Sequence, residues 1–175
     1  LSATPTPRTL QLALTGVREL SLITTPPVDR LAVRTFISPF DPVILKEALR
    51  RERFRGGQTF YVAPRISDLD EVAEFLREAV PDLTFARATG QMSPTDLEDV
   101  MTAFYEGKYD ILLSTAIVES GLDVPNANTL IVHRADMFGL AQLYQLRGRV
   151  GRSKTRAYAY FTTPPGQKLS EGAEK

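Results

Sequence analysis

The chain has 175 residues, and its 21 basic side chains balance its 21 acidic ones. This length and an apolar fraction of 43% are typical of one globular domain. Without cysteine, disulfides and thiolate metal sites are excluded, and the single histidine, His133, excludes paired-histidine zinc motifs, so we expect no resident metal. No run of 18 apolar residues is present, so we expect no membrane span; we also expect no targeting leader, and the lack of cysteine suits a reducing cytoplasm.

The charge is unevenly distributed along the chain. Residues 1–65 carry a net charge of +5, residues 66–106 a net −8 and residues 107–175 a net +3. Between residues 137 and 168 there are six basic side chains and no acidic one. This pattern favours a molecule that presents one face to phosphates, although a solvated surface of uneven charge explains it equally well.

Short apolar runs alternate with longer helical patterns. In chain order, the predicted helices are Pro7–Thr15, Pro42–Phe54, Ser67–Val80, Pro94–Tyr105 and Leu140–Val150. The predicted strands are Leu20–Thr24, Ala32–Ile37, Thr59–Ala63, Thr84–Ala88, Ile111–Ser114, Thr129–Val132 and Ala157–Thr162. Asp41 and Ser93 precede Pro42 and Pro94, which predicts two capped helix starts with proline in the first turn.

The order of these elements predicts an α/β domain. Continuous apolar runs such as 111–113 and 130–132 indicate parallel strands that are buried on both faces. We therefore expect a mainly parallel sheet between two helical layers, with functional loops at the carboxyl ends of the strands. Residues 1–163 would form this domain as part of a longer chain, and residues 164–175 a flexible tail.

The most informative segment is 145–152, which reads Gln-Leu-Arg-Gly-Arg-Val-Gly-Arg. Arg149 and Arg152 are three residues apart and would share a helix face, while Gly148 and Gly151 leave space beside them. The planar guanidinium suits phosphate groups, which predicts an anion-binding site. A basic helix end that interacts with the helix dipole is the simpler alternative.

A second segment, 114–125, follows a predicted buried strand. Ser114 and Thr115 offer hydroxyl groups to a phosphate, Gly121 permits a tight turn, and Asp123 can accept a hydrogen bond from a ribose or an arginine. A capped strand-to-helix turn would have the same composition.

Two shorter segments carry weaker signals. The first is 2–9, where Ser2, Ala3 and Thr4 precede a predicted helix that has Arg8 in its first turn. An arginine there opposes the helix dipole, which indicates an external anion or, alternatively, a solvated linker. The second is 89–92, which follows a predicted strand as a polar turn with Thr89, Gly90 and Gln91.

No G-x-x-x-x-G-K-[ST] loop and no strand followed by an Asp-Glu pair occurs in the sequence. The chain can thus present arginines to a nucleotide, but it has no phosphate loop of its own.

Taken together, these segments resemble the second RecA-like motor domain of superfamily 2 helicases. The matching segments are 2–4 (motif III), 59–64 (motif IV region), 89–92 (the following turn), 114–125 (motif V) and 145–152 (motif VI). Within that superfamily, segments 3–10, 138–143 and 145–153 resemble the bacterial transcription-repair coupling factors (Mfd), with RecG-type helicases as near relatives. Thr89 and Ser2 depart from the pattern, which usually has His and Thr at these places, so a specific role for residue 89 is in doubt.

The resemblance implies a role for each segment. ATP with Mg²⁺ would bind mainly to a preceding domain. Arg149 and Arg152 would act as arginine fingers, and Gln145 would help to organise them. Gly121 and Asp123 would contact the nucleotide. Duplex DNA would be held by six residues: Arg8, Thr89, Gly90, Gln91, Ser114 and Thr115. Segment 2–4 would couple the two sites. The resemblance also implies an RNA polymerase and excision-repair proteins as partners of other domains, and an isolated domain without ATPase activity.

Three alternatives stay open. The chain could belong to a RecG-type helicase that remodels forks. It could be a binding module that never contacts ATP, as its acidic segment 66–106 and missing phosphate loop allow. It could also be a small-molecule enzyme that uses Asp123 and His133, although a structural role suits a lone histidine after a buried strand better.

Overall fold

The computed structural model describes residues 33–115, 127–150 and 155–164. Its strands are β1 (Arg34–Pro39), β2 (Gln58–Ala63), β3 (Phe85–Ala88), β4 (Ile111–Thr115), β5 (Ala127–Val132) and β6 (Tyr158–Thr163). Its helices are α1 (Pro42–Phe54), α2 (Ile66–Ala79), α3 (Pro94–Tyr105) and α4 (Leu140–Arg147), and a 3₁₀ turn (Ala135–Met137) precedes α4. The strand predicted at 20–24 and the helix predicted at 7–15 lie outside the described residues.

The six strands form one sheet in the order β1-β6-β5-β2-β4-β3, and every pairing between neighbours is parallel. Apolar side chains alternate between its two faces. Tyr61 and Ala63 pack with α1 and α2 on one face, while Val62 packs with residues of α4 on the other. Helix α3 contributes Met101 and Phe104 to a third cluster. The predicted three-layer α/β fold with a parallel sheet is therefore confirmed.

Helices α1 and α3 begin and end at the predicted residues. Their starts are defined by a capping side chain. Asp41 accepts a hydrogen bond from the Val43 amide at 3.0 Å, and Ser93 accepts one from the Asp96 amide at 3.1 Å. Each cap is followed by a proline, whose fixed φ suits the first helical position.

The prediction of a helix over 140–150 is wrong at its C-terminal end. Helix α4 ends at Arg147, and Gly148 is its C-cap. Val150 packs in the same apolar cluster as Leu143, as the spacing predicted, but it lies in a turn that follows the helix. In the described part of the chain, no helix is long and apolar enough to cross a membrane.

Candidate phosphate-binding site

The carboxyl ends of the strands bring two predicted DNA-binding segments together. Ser114 in β4 is paired with Ala88, the last residue of β3, so Thr89 lies beside the end of β4. Ser114 and Thr115 are buried residues of the strand itself, whereas the sequence predicted that Thr115 belonged to the following loop. Because parallel strands end at one edge, the two segments can contact one extended ligand.

The Thr115 hydroxyl is buried and unbonded among the described residues. The residue is only 4% exposed, and its Oγ1 atom has no hydrogen-bond partner within the described stretches. Buried hydroxyl groups are nearly always bonded, so an unbonded one at a strand end is available for a ligand acceptor such as a phosphate oxygen.

The segment 89–92 forms a compact polar turn. The Thr89 hydroxyl accepts from the Gln91 amide at 3.3 Å, and the Met92 amide donates to the Thr89 carbonyl at 3.2 Å. Thr89 is buried, whereas Gly90 and Gln91 are exposed. The hydroxyl of Thr89 therefore stabilises the turn, and the exposed groups of residues 90 and 91 face solvent.

The motif VI residues lie on and after α4. Gln145 is exposed on the helix, while Arg149 is half-buried in the following turn, where its amide donates to the Leu146 carbonyl at 3.0 Å. The prediction that Arg149 continues a helix face is therefore wrong. Gly148 has an ordinary φ of −70°, so the cost of glycine inside a helix does not apply to it.

Arg147 was not singled out in the sequence. It is 8% exposed, and its Nη1 atom has no partner among the described residues. Burial lowers the pKa of Arg147, because a guanidinium ion loses its hydration there. Its position four residues after the core residue Leu143 was the available signal that it faces inward.

His133 and two acidic side chains form a cluster that the sequence analysis did not anticipate. Asp68 and Glu71 lie three residues apart on α2, and His133 follows β5. Burial lowers the pKa of His133, although the neighbouring carboxylates of Glu71 and Asp68 oppose the shift. The spacing of the two acids was visible in the sequence, but the pairing of β2 with β5 was not.

The remaining predicted site residues lie outside the described residues. They are Ser2, Ala3, Thr4, Arg8, Gly121, Asp123 and Arg152.

The charged residues described on and just after α4 are basic. Helix α4 contains no acidic side chain, and Arg147 and Arg149 follow one another closely at its end.

Solved structures place this fold in a class. The chain is similar to the structure described as "Mss116p DEAD-box helicase domain 2 bound to an RNA duplex", with a TM-score of 0.60 over 75% of this chain and 54% of that one. At 17% identity, this similarity concerns the fold alone. The protein thus has the fold of a RecA-like domain.

The family follows from the sequence. The family described as "Helicase conserved C-terminal domain" matches residues 42–154, and the chain belongs to it.

Two relatives resemble the chain along nearly all of its length. It is 55% identical over 170 residues to the transcription-repair-coupling factor of Rickettsia bellii, which covers 97% of this chain and 15% of that protein. It is 40% identical to the chain in "Structure of RecG bound to three-way DNA junction", with a TM-score of 0.70 over 99% of this chain and 23% of that one. The chain therefore spans about one seventh of the coupling factors that it matches.

Proposed function

We propose that this chain is the second motor domain of an ATP-dependent translocase on double-stranded DNA, which displaces stalled RNA polymerase and couples transcription to excision repair. The observation that carries the proposal is 55% identity to a transcription-repair-coupling factor over 97% of the chain. Polymerase and repair proteins would contact other domains of the parent protein.

ATP would lie between this domain and a preceding one that supplies the phosphate loop and the Mg²⁺ ligands. The bound nucleotide supplies the γ-phosphate whose cleavage drives movement. Arg149 and Arg152 would stabilise negative charge on it, and Gln145 would orient these arginines. Gly121 and Asp123 would contact the nucleotide. The position of Arg149 in a turn fixed by its amide bond to the Leu146 carbonyl supports this role, because the backbone that carries the side chain is already ordered when a phosphate binds.

DNA would be held at the carboxyl edge of the sheet. The ends of β3 and β4 lie side by side, which supports a contact with one strand of the DNA. Gly90, Gln91, Ser114 and Thr115 would make this contact, and Thr89 would stabilise the turn. Arg8 would add a further phosphate contact, and segment 2–4 would link DNA binding to hydrolysis. Phosphate contacts carry no sequence information, so we expect binding that is independent of sequence and weakened by salt.

The test is ATP hydrolysis by the full-length parent with and without linear duplex DNA. Arg149→Ala is expected to lower the DNA-stimulated rate by about 10³-fold or more, the typical contribution of an arginine finger. Arg77→Ala is the matched control, because Arg77 is an exposed arginine that pairs with Glu74 on α2. Near-normal turnover by the Arg149 variant would contradict the assignment.

A RecG-type helicase is the second candidate, favoured by the 40% identity to a chain solved with a three-way junction. The two can be separated by the substrate that stimulates the parent ATPase. Preference for a three-way junction over linear duplex, with no release of a stalled polymerase, would favour the RecG type. Release of the polymerase would favour the coupling factor.

A further inference from the structure

Three ligand-type side chains converge where strands β2 and β5 end. The His133 amide donates to the Val62 carbonyl at 2.7 Å, which extends the β2–β5 pairing and fixes His133 beside the start of α2. Asp68 and Glu71 project from the first two turns of α2. One ligand atom from each of the three residues lies within 4.8 Å of the other two.

His133 is buried, its ring packs edge-on against Phe40, and one of its nitrogen atoms is unbonded among the described residues. It is 7% exposed, and its Nδ1 atom has no hydrogen-bond partner in the described stretches. Its Nε2 atom is directed at Glu71 Oε1, but their 3.8 Å separation is too long for a hydrogen bond. The imidazole thus sets Nε2 beside the Glu71 carboxylate without bonding to it, which leaves both groups available to a metal ion.

Asp68 is held as a metal-ligating carboxylate commonly is. It is 6% exposed, and Arg65 donates to its two oxygen atoms at 3.0 and 3.1 Å. A carboxylate has about four lone-pair sites, so these two bonds leave sites for a cation. Such a hydrogen-bonded partner orients ligating side chains in known metal sites.

Glu71 completes the set with an adaptable group. Its side chain is 74% exposed and can move without disturbing the core. Ligand atoms about 2.0–2.2 Å from a zinc ion lie roughly 3–3.5 Å from one another, so the three groups, now within 4.8 Å, close on an ion by small side-chain movements such as that of Glu71.

We propose that Asp68, Glu71 and His133 bind one divalent transition-metal ion, represented by Zn²⁺, that ties α2 to the end of β5. One imidazole nitrogen with two carboxylates suits Zn²⁺ better than Mg²⁺ or Ca²⁺, which prefer oxygen ligands. The site differs from the expectation of no resident metal, which rested on cysteine and paired-histidine motifs. It is separate from the Mg²⁺ that accompanies ATP, and it does not depend on the proposed function.

The test measures zinc binding by the full-length parent protein after removal of metals with a chelator. Titration calorimetry and elemental analysis are run in excess Mg²⁺ for the unchanged protein, Glu71→Gln and Glu74→Gln. Glu74 is the matched control, an exposed carboxylate on the same helix. The unchanged protein and Glu74→Gln are expected to bind the same number of Zn²⁺ ions. Glu71→Gln is expected to bind one Zn²⁺ fewer per chain, or to bind that ion at least tenfold more weakly.

A second variant tests the positioning role of Arg65. Arg65→Ala leaves all three ligands in place and is expected to weaken Zn²⁺ binding by about 10–100-fold, as loss of such a partner does in other metal sites. Equal stoichiometry and affinity in the unchanged protein and Glu71→Gln would overturn the proposal. Displacement of Zn²⁺ by excess Mg²⁺ would overturn the choice of a transition metal.

Discussion

The two ends of the parallel sheet use buried polar groups differently. Towards the amino ends of the strands, Glu52 on α1 binds both Arg55, at 2.7 Å, and the hydroxyl of Thr129 in β5. Arg55 also donates to the Arg156 carbonyl at 2.8 Å. Within the described ranges, Glu52 Oε2 and Arg55 Nε have no partner, but each side chain is held through its other atoms.

At the carboxyl ends, three buried side chains are not held in this way. The hydroxyl groups of Thr115 and Thr163 and the Nδ1 atom of His133 have no hydrogen-bond partner within the described part of the chain. Buried polar groups that bond to the protein stabilise the fold, whereas unbonded ones cost free energy unless a ligand completes them. Thr35 near the amino end of β1 also has an unbonded hydroxyl among the described residues. The contrast therefore lies in Glu52 and Arg55, which bond to each other and to neighbouring groups and stabilise the amino end.

The largest expected effect comes from Glu52→Ala at the amino end. This change leaves Arg55 without its acid partner and should lower the free energy of local unfolding by about 3 kcal/mol, because breaking a buried ion pair strands a charge. Amide hydrogen exchange in β5 and β6 of the parent protein measures this loss. Glu47→Ala, an exposed site on the same helix, is the control and should change exchange little. If both variants changed amide exchange by a similar, small amount, the amino end would not have the structural role assigned to it.

Thr129→Val gives an intermediate effect at the same end. Valine keeps the shape but loses the hydrogen bond to the Glu52 carboxylate, which should cost about 2 kcal/mol. Exchange of the β5 amides is the measurement. Equal exchange in the variant and the unchanged protein would show that Glu52 does not depend on this hydroxyl.

Thr115→Val is the same substitution at the carboxyl end, and its expected effect on stability is the smallest. Removal of an unbonded hydroxyl should change the free energy of local unfolding by less than about 1 kcal/mol. We expect the change to reduce DNA stimulation of the parent ATPase while nucleotide binding stays unaltered. Loss of stability as large as in Thr129→Val would mean that the Thr115 hydroxyl is structural, and unchanged DNA stimulation would argue against its role at DNA.

The sequence predicted elements well where local chemistry decides them. Asp41 and Ser93, each followed by proline, defined the starts of α1 and α3 without reference to the rest of the molecule. The end of α4 was missed because the apolar spacing that reaches Val150 does not require a helix. Packing against the sheet, rather than continued helical hydrogen bonds, places that residue.

The candidate sites depend on strand order, which a single sequence does not contain. The polar residues of 89–91 and 114–115 were recognisable as site residues, but only the pairing of β3 with β4 makes them neighbours. Likewise, only the pairing of β2 with β5 brings His133 to Asp68 and Glu71. The burial of Arg147 was not predicted, because charged residues are rarely buried and its helix position was the only signal for it.

The edge strand β1 has a consequence for how the protein is made. In the sheet, Phe36 of β1 pairs with Tyr160 of β6, more than 120 residues later in the chain. A ribosome adds on the order of 5–20 residues each second, so β1 emerges at least several seconds before its partner exists. During that interval its backbone donors and Phe36, which stays 43% exposed even in the finished sheet, can pair with other nascent chains. Crowded polysomes and slow codons between the two strands should therefore lower the yield of active protein more than its folded stability would suggest.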